Sequence, residues 1–140
     1  MKTIILTLTI LSATLSQAAT VLLPLGGKVT VNDKEWNVQE TKAVTGTNSL
    51  FMNHKKEKSL QGIVLDGTVK NKGECQAEKT MICDRTVPMG DKISYQIIGQ
   101  RFHGKDAYQN YVFAFAFAKA DEKKFLPLLK KLKSDMEFAK

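Results

Sequence analysis

The two cysteines, Cys75 and Cys83, are the residues that could form a covalent link within the chain. They do not have the C-x-x-C spacing of redox-active pairs, which leaves such a pair as the weaker alternative. An even number of cysteines in an oxidising compartment favours one structural disulfide. The chain-entropy model gives roughly 2.5 kcal/mol as the most that this disulfide would add to the free energy of unfolding. We therefore predict a Cys75–Cys83 disulfide across the base of a hairpin tip.

The two histidines, His54 and His103, are the candidates for acid–base chemistry or metal binding. His103 and Asp106 could pair as a general base and its orienting carboxylate, but a glycine-containing turn also places such residues together as a solvated loop. The two histidines are far apart in the sequence and do not have the spacing of zinc ligands. The chain has no G-x-S-x-G elbow, Walker loop or Rossmann glycine motif. The sequence therefore predicts no catalytic residue, no metal ligand and no cofactor.

Lysines near the C-terminus are the candidate anion-binding residues. At 100° per residue they fall on one arc of a predicted helix, opposite its apolar side. Such a face is commonly a solvated surface, but it could also bind phospholipid, lipopolysaccharide, a wall polymer or an acidic protein. The residues are Lys123, Lys124, Lys130, Lys131 and Lys133.

The helix that carries these lysines is predicted to begin after Asp121, a suitable N-cap residue. Pro127 lies too deep for the first turn, so we expect either a kink or a later start of the helix. The apolar stripe that would face the core has helical spacing and consists of Phe125, Leu128, Leu129, Leu132 and Met136.

The segment before the helix, residues 111–118 (YVFAFAFA), predicts a β-strand with two apolar faces. One face carries Tyr111 and three phenylalanines, and the other carries Val112 and three alanines. A strand that is apolar on both faces is typical of a sheet covered on both sides. We therefore expect a central strand, with the helix approaching closely over the alanine face.

Earlier apolar segments predict antiparallel strands joined by turns. Segments 21–25 and 28–31 flank a Gly-Gly hairpin turn, and further strands are expected at 36–38, 60–69, 79–83 and 92–102. The Pro-Met-Gly-Asp segment at 88–91 predicts a turn, and 41–59 predicts a polar loop with an exposed end at 54–58. The predicted fold class is α+β, with an antiparallel sheet of about five to seven strands and a C-terminal amphipathic helix packed on one face.

The first residues have the pattern of a secretory signal. Lys2 precedes an apolar run at 4–15, and Ser16-Gln17-Ala18 places small residues at the −3 and −1 positions of a cleavage site. A transmembrane anchor is the alternative, but the run is shorter than the roughly 20 residues that a span needs. We expect residues 1–18 to be a signal peptide and residues 19–140 a single globular exported domain, periplasmic or secreted.

The composition fits one basic globular domain. The 140 residues are 43% hydrophobic and 25% charged, with a net charge of +7. This hydrophobic content excludes a disordered chain, and the low cysteine count excludes a disulfide-dense scaffold. Nucleic acid is not an expected partner, because the protein is predicted to be exported and its basic residues are not interleaved with aromatic ones.

The end of the chain resembles a known family. An aromatic strand, an acidic helix start and the segment KKFLPLLKKLKSDMEF look like the close of PsbP-like α/β/α sandwich domains, over residues 111–138. The resemblance implies a chain that ends in a helix and a short Ser-x-x-x-Phe strand. It also implies a small exported accessory protein without enzymatic activity, and it implies no site residues.

Three functional hypotheses follow from the sequence. The first is a small exported, non-enzymatic envelope protein that binds a protein partner in an accessory, inhibitor or immunity role. The second is electrostatic binding of anionic lipid or envelope polymer through the lysine-rich helix. The third is a small hydrolase whose site is assembled only in the fold. None of them includes a membrane span or a nucleic-acid partner.

Overall fold

Antiparallel strands make up most of the chain in the computed structural model, which describes residues 18–23, 28–41, 49–70, 75, 81–102, 104 and 107–139. Residues 1–17, which hold the predicted signal sequence, lie outside the described residues. In chain order the elements are β1 (Ala18–Leu22), β2 (Lys28–Asn32), β3 (Trp36–Thr41), β4 (Ser49–His54), β5 (Gln61–Lys70), β6 (Ile82–Met89), β7 (Lys92–Phe102), β8 (Tyr108–Ala118), a 3₁₀ turn (Lys119–Asp121), α1 (Glu122–Asp135) and β9 (Glu137–Ala139).

The strands form a large sheet and a small sheet. The large sheet has six strands in the order β3-β4-β5-β8-β7-β6, and the small sheet has three in the order β1-β2-β9. Neighbouring strands in both sheets are antiparallel. Helix α1 and the small sheet share one hydrophobic core with one face of the large sheet. The predicted α+β class, with a helix packed on an antiparallel sheet, is confirmed.

The inner face of the large sheet, which lines this core, is built mainly by β7 and β8. The register pairs Tyr95 with Phe115 and Ile97 with Phe113, and all four side chains are buried. Aromatic and β-branched residues paired across strands pack well on a pleated surface, which explains why these two segments form the centre of the fold. The predicted strand at 92–102 is confirmed with the same bounds as β7.

Helix α1 packs on the aromatic face of β8, so the predicted approach over the alanine face is wrong. The ring of Phe125 lies edge-on to that of Phe117, with the ring centroids 5.6 Å apart. Leu129 and Leu132 are buried in the same core. Aromatic rings bury far more apolar area than alanine methyl groups, so covering the aromatic face releases more free energy.

The start of α1 agrees with the sequence only in part. Asp121 is the N-cap residue as predicted, although its side chain makes no capping hydrogen bond. The helix begins at Glu122, so a later start is ruled out, and it continues through Pro127. Proline has no backbone N–H, so the carbonyl of Lys123 lacks its helical hydrogen bond. Pro127 lies on the exposed side of the helix, where water can donate a hydrogen bond to that carbonyl instead.

Two further loop predictions are corrected by the strands. Within the predicted polar loop at 41–59, Ser49–His54 forms β4, which pairs with β3 on one side and β5 on the other. The predicted turn at 88–91 is shorter than expected, because Pro88 still belongs to β6 and the turn begins at Gly90, with a φ of 68°. β6 is an edge strand, where a proline is tolerated because its missing N–H would face solvent.

Candidate functional site: the outer face of the large sheet

The outer face of the large sheet is the face opposite the shared core. Successive residues of a strand point to opposite faces, so the residues between the buried inner-face positions belong to the outer face. The register aligns them in rows that cross the sheet. One row consists of Gln39, Phe51, Ile63, Ala114, Gln96 and Arg85. The neighbouring row includes Asn37, Asn53 and Gln61 at one side and Ala116, Ser94 and Val87 at the other.

This outer face presents apolar side chains to solvent. Phe51 is 41% exposed, Val87 is 37% exposed and Met89 is 52% exposed. Between them, Ala116 and Ala118 of β8 are also exposed. The prediction that β8 is covered on both sides is therefore wrong at this end of the strand. At these two positions only a methyl group covers the backbone of β8.

The charged groups of the outer face are cationic. The Nε of Arg85 donates a hydrogen bond to Oε1 of Gln96 at 2.6 Å, and Nε2 of Gln96 donates to Oγ of Ser94 at 3.3 Å. Lys92, on the next row, is exposed. Among the described residues of these rows there is no carboxylate. The face therefore combines exposed apolar side chains with the guanidinium group of Arg85 and the ammonium group of Lys92.

The disulfide covers the other end of the outer face. Cys75 and Cys83 are bonded, as predicted, and both are buried beside Ile98. The backbone N–H of Cys75 donates to Oε1 of Gln100 at 3.2 Å, which ties the cysteine to β7. The predicted hairpin tip spans residues 76–82 between the cysteines, and its residues 76–80 lie outside the described residues. The disulfide thus closes one end of the face and leaves the alanine end open.

The five lysines predicted as an anion-binding face fall into two groups. Lys123 and Lys130 are exposed and line a shallow surface pocket beside Pro127. The other three form ion pairs with acidic residues from outside the helix. Hydrogen bonding and attraction from these carboxylates raise the pKa of Lys124 and of Lys131. The pairs are Lys124–Glu57 (2.9 Å), Lys131–Glu35 (2.6 Å) and Lys133–Asp84 (3.1 Å).

His54 is buried, so its prediction as part of an exposed loop end is wrong. Its ring lies edge-on to Trp36, with centroids 5.0 Å apart. Its Nδ1 accepts hydrogen bonds from the backbone N–H groups of Glu57 at 3.0 Å and Lys56 at 3.3 Å. Burial lowers the pKa of His54, against the opposing pull of the carboxylates of Glu35 and Glu57. A neutral imidazole therefore holds the loop that follows β4.

Asp84 and Tyr95 form a second polar cluster that the sequence did not reveal, because their contact depends on the pairing of β6 with β7. The hydroxyl of Tyr95 donates to Oδ2 of Asp84, and Nζ of Lys133 donates to Oδ1 at 3.1 Å. Burial alone would raise the pKa of Asp84, but these two hydrogen bonds outweigh it and lower that pKa. Burial and the same carboxylate raise the pKa of Tyr95. The cluster fastens the end of α1 to β6.

His103 and Asp106 lie outside the described residues, so the structure does not test whether they pair as a base and its orienting carboxylate. In the described part of the chain, no group of three or more His, Cys, Asp or Glu side chains could hold a metal ion. No helix among the described residues is long and apolar enough to cross a membrane.

Comparison with known proteins finds no family model, curated protein or solved structure that matches the chain. A short strand, β9, follows α1, and none of these comparisons tests the resemblance to PsbP-like domains. Family membership itself stays a prediction. The outer face is a candidate site on the strength of its geometry, exposure and charge.

Proposed function

We propose that this chain is a small exported, non-enzymatic protein that binds a protein partner across the outer face of its large sheet. The observation that carries the proposal is the exposed apolar surface formed by Phe51, Val87, Met89 and the alanines of β8. Large apolar side chains exposed on one face, with the polar side chains of β7 between them, form a mixed surface of the kind found in non-obligate protein interfaces. The small side chains of Ala116 and Ala118 let the backbone of a partner approach this end of β8 closely.

The charges of this face favour an acidic partner. Arg85 and Lys92 are both exposed on this face, and their positive charge attracts the carboxylates of a partner. A second copy of the chain would bring two sets of Arg85 and Lys92 into one interface, which like-charge repulsion disfavours. The partner is therefore a different protein with carboxylates around an apolar patch. Accessory, inhibitor and immunity roles all fit such binding.

Export is supported by the N-terminal pattern and the disulfide. Lys2, the apolar run at 4–15 and the small residues before residue 19 have the order of a signal peptide. The Cys75–Cys83 disulfide is the type of bond that persists in an oxidising compartment. The proposed location is the periplasm or the exterior, where the partner would be an envelope or extracellular protein.

The ion pairs of α1 favour this proposal over electrostatic binding to lipid or polymer. Lys124, Lys131 and Lys133 are each engaged with a carboxylate of the same chain. A free anion would have to compete with those carboxylates. Of the five predicted lysines, only Lys123 and Lys130 form no ion pair among the described residues. Two positive charges are few for electrostatic binding to an anionic lipid or polymer surface.

The proposal can be tested with two alanine-to-arginine variants. Ala116→Arg places a bulky charged side chain on the outer face, whereas Ala120→Arg places the same side chain at an exposed position of the 3₁₀ turn. Immobilised wild-type protein and both variants would be incubated with envelope extract of the source organism. We expect an equimolar partner to be retained by the wild type and Ala120→Arg and to be reduced at least tenfold on Ala116→Arg.

Three results would overturn the proposal. The first is equal recovery on all three proteins, and the second is recovery of no protein by the wild type. The third is wild-type protein that light scattering shows to be a dimer which Ala116→Arg makes monomeric, because the face would then bind a second copy.

A further inference from the structure

The described methionines divide into an exposed pair and a buried pair. Met89 is 52% exposed and Met81 is 43% exposed, whereas Met52 is 2% exposed and Met136 is 5% exposed. A peroxide can oxidise a thioether only where it can reach the sulfur, so burial protects a methionine from oxidation. The fold therefore leaves two of these sulfur atoms open to oxidants and shields the other two.

Met89 ends β6 at the alanine end of the outer face. The register pairs Met89 with Lys92 of β7 and pairs Lys92 with Ala118 of β8, so the three residues form one row across the sheet. Val87 lies two residues earlier on the same strand and therefore on the same face. The thioether of Met89 thus belongs to the apolar surface that the proposed function assigns to the partner.

Met81 lies at the opposite end of the same strand. Its backbone carbonyl accepts a hydrogen bond from the N–H of Gln100, near the disulfide. Met81 precedes Met89 by eight residues, which at about 3.3 Å per residue places their backbones about 26 Å apart. Met81 is therefore a matched control, since it is similarly exposed but distant from the alanine end.

A sulfoxide at Met89 would change the chemistry of this surface. Oxidation converts an apolar thioether into a polar group whose oxygen accepts hydrogen bonds. Burying that oxygen against an apolar partner surface costs free energy unless a donor meets it. Ionised carboxylates are acceptors only, so the acidic partner that this face favours cannot supply the donor through them. An ammonium group of Lys92 that donates to the sulfoxide is withdrawn from the partner.

We propose that Met89 is an oxidation site through which peroxides weaken partner binding at the outer face, an inference that rests on the proposed function. The thioether sulfur attacks one oxygen of hydrogen peroxide, and an S–O bond forms as the O–O bond breaks. The proton of the transferred oxygen goes to the departing hydroxide, which leaves as water. The sulfur is oxidised by two electrons and the peroxide is reduced by two. Sulfoxide reductases restore the thioether, so the modification is reversible.

The oxidation itself is measured on the full chain without a partner. Dilute hydrogen peroxide would be added to the native protein, and mass spectrometry of digested samples would give the fraction of each methionine that has gained one oxygen atom. We expect Met89 and Met81 to be oxidised at least tenfold faster than Met52 and Met136. In urea, which exposes all four side chains, the rates should converge. The inference is overturned if Met89 reacts as slowly as the buried pair in the native protein.

Binding is measured with immobilised protein and envelope extract, as for the outer face. Wild type, Met89→Leu and Met81→Leu would each be tested before and after peroxide treatment, with the peroxide removed before the extract is added. Leucine has a similar volume but cannot form a sulfoxide. Each protein is compared with its own untreated sample, so an effect of leucine on binding does not enter. We expect treatment to reduce retention at least tenfold on wild type and Met81→Leu and to leave it unchanged on Met89→Leu.

The two proposals fail in different ways. Retention before treatment tests the proposed function, and the change on treatment tests the oxidation site. Wild type that retains no partner before treatment overturns both. Retention that does not change although Met89 is oxidised overturns the oxidation site alone. A loss on Met89→Leu equal to that on wild type, or no loss on Met81→Leu, also overturns it, because another residue would then carry the effect.

Discussion

Gly62 lies directly against the ring of Phe115, its register partner on β8. A Cβ atom at position 62 would be 2.4 Å from Cε1 of that ring, well inside van der Waals contact. The ring of Phe115 is fully buried and lies 5.5 Å from that of Trp36, centroid to centroid. The ring therefore has no free space to move into, and the absence of a side chain at position 62 allows β5 and β8 to pair with the ring in place.

We predict that Gly62→Ala destabilises the protein. Alanine restricts the unfolded chain and would by that effect stabilise by about 0.4–1 kcal/mol. Overpacking of a filled core costs about 1–3 kcal/mol, so the clash dominates. Urea denaturation followed by far-UV circular dichroism measures the difference in the free energy of unfolding.

Phe115→Leu supplies the control for this clash. Leucine is shorter than phenylalanine, so Gly62→Ala should cost less in the Phe115→Leu background than in the wild type. Equal costs in both backgrounds would show that the ring contact does not cause the destabilisation.

At the scale of elements, α1 is held to the large sheet by two kinds of contact. Phe125, Leu129 and Leu132 are buried in the core, whereas the ion pairs are formed by side chains that remain partly exposed. Exposed ion pairs contribute little, because water screens them and the long side chains lose entropy. Burial of the apolar stripe therefore dominates the docking of the helix.

We expect Leu129→Ala to lower the free energy of unfolding by about 2–5 kcal/mol, since leucine is fully buried at this position. Lys124→Ala removes the pair with Glu57 and should leave the urea midpoint almost unchanged. Circular dichroism at 222 nm would follow both variants. A loss with Lys124→Ala as large as that with Leu129→Ala would mean that the ion pairs hold the helix in place.

The elements that sequence patterns predict well are those with one clear periodicity. Apolar residues alternate along β7, and this pattern predicts the strand with its observed bounds. The apolar stripe of α1 repeats at helical spacing, and this pattern predicts the helix. β4 was missed because Leu50, Phe51 and Met52 are too short an apolar run to stand out from the polar loop around them.

The candidate site was harder to predict, because exposure depends on which elements cover a sheet. Alternation in β8 separates its aromatic face from its alanine face, but both are apolar, and periodicity does not say which one the helix buries. The rows across the outer face also depend on the strand order, which sequence patterns do not supply. The lysines that follow His54 favour a loop, whereas the ring of His54 packs against Trp36 on the neighbouring strand, and sequence patterns do not reveal that contact.

At the scale of the whole molecule, His54 lies where several parts of the fold meet. Its ring packs on Trp36, and the ring of Trp36 contacts Phe115 at the centre of the large sheet. The imidazole also accepts the backbone N–H of Glu57, whose carboxylate binds Lys124 of α1. A proton on Nδ1 would remove this acceptor and place a charge in a buried site. The protonation of this one ring therefore affects both the large sheet and the loop after β4.

We predict that the stability of the whole protein falls as the pH drops below about 6.5, the ordinary pKa of histidine. Burial holds the pKa of His54 in the folded protein below that value. The unfolded chain therefore takes up a proton at a higher pH than the folded chain does. The free energy contributed by neutral His54 is fully present above pH 6.5 and is lost as the pH falls through the folded pKa. Asp84 contributes a separate loss only below its ordinary pKa of 3.8.

Urea denaturation between pH 5 and pH 8, followed by the fluorescence of Trp36, measures this dependence. His54→Phe keeps an aromatic ring beside Trp36 but cannot titrate, so its free energy of unfolding should be lower at pH 8 and nearly constant down to pH 5. His103→Gln removes the other histidine and should keep the wild-type decline. If His54→Phe declines as steeply as the wild type, the acid sensitivity arises elsewhere. If His103→Gln abolishes the decline, His103 and not His54 is the group that links pH to the stability of the fold.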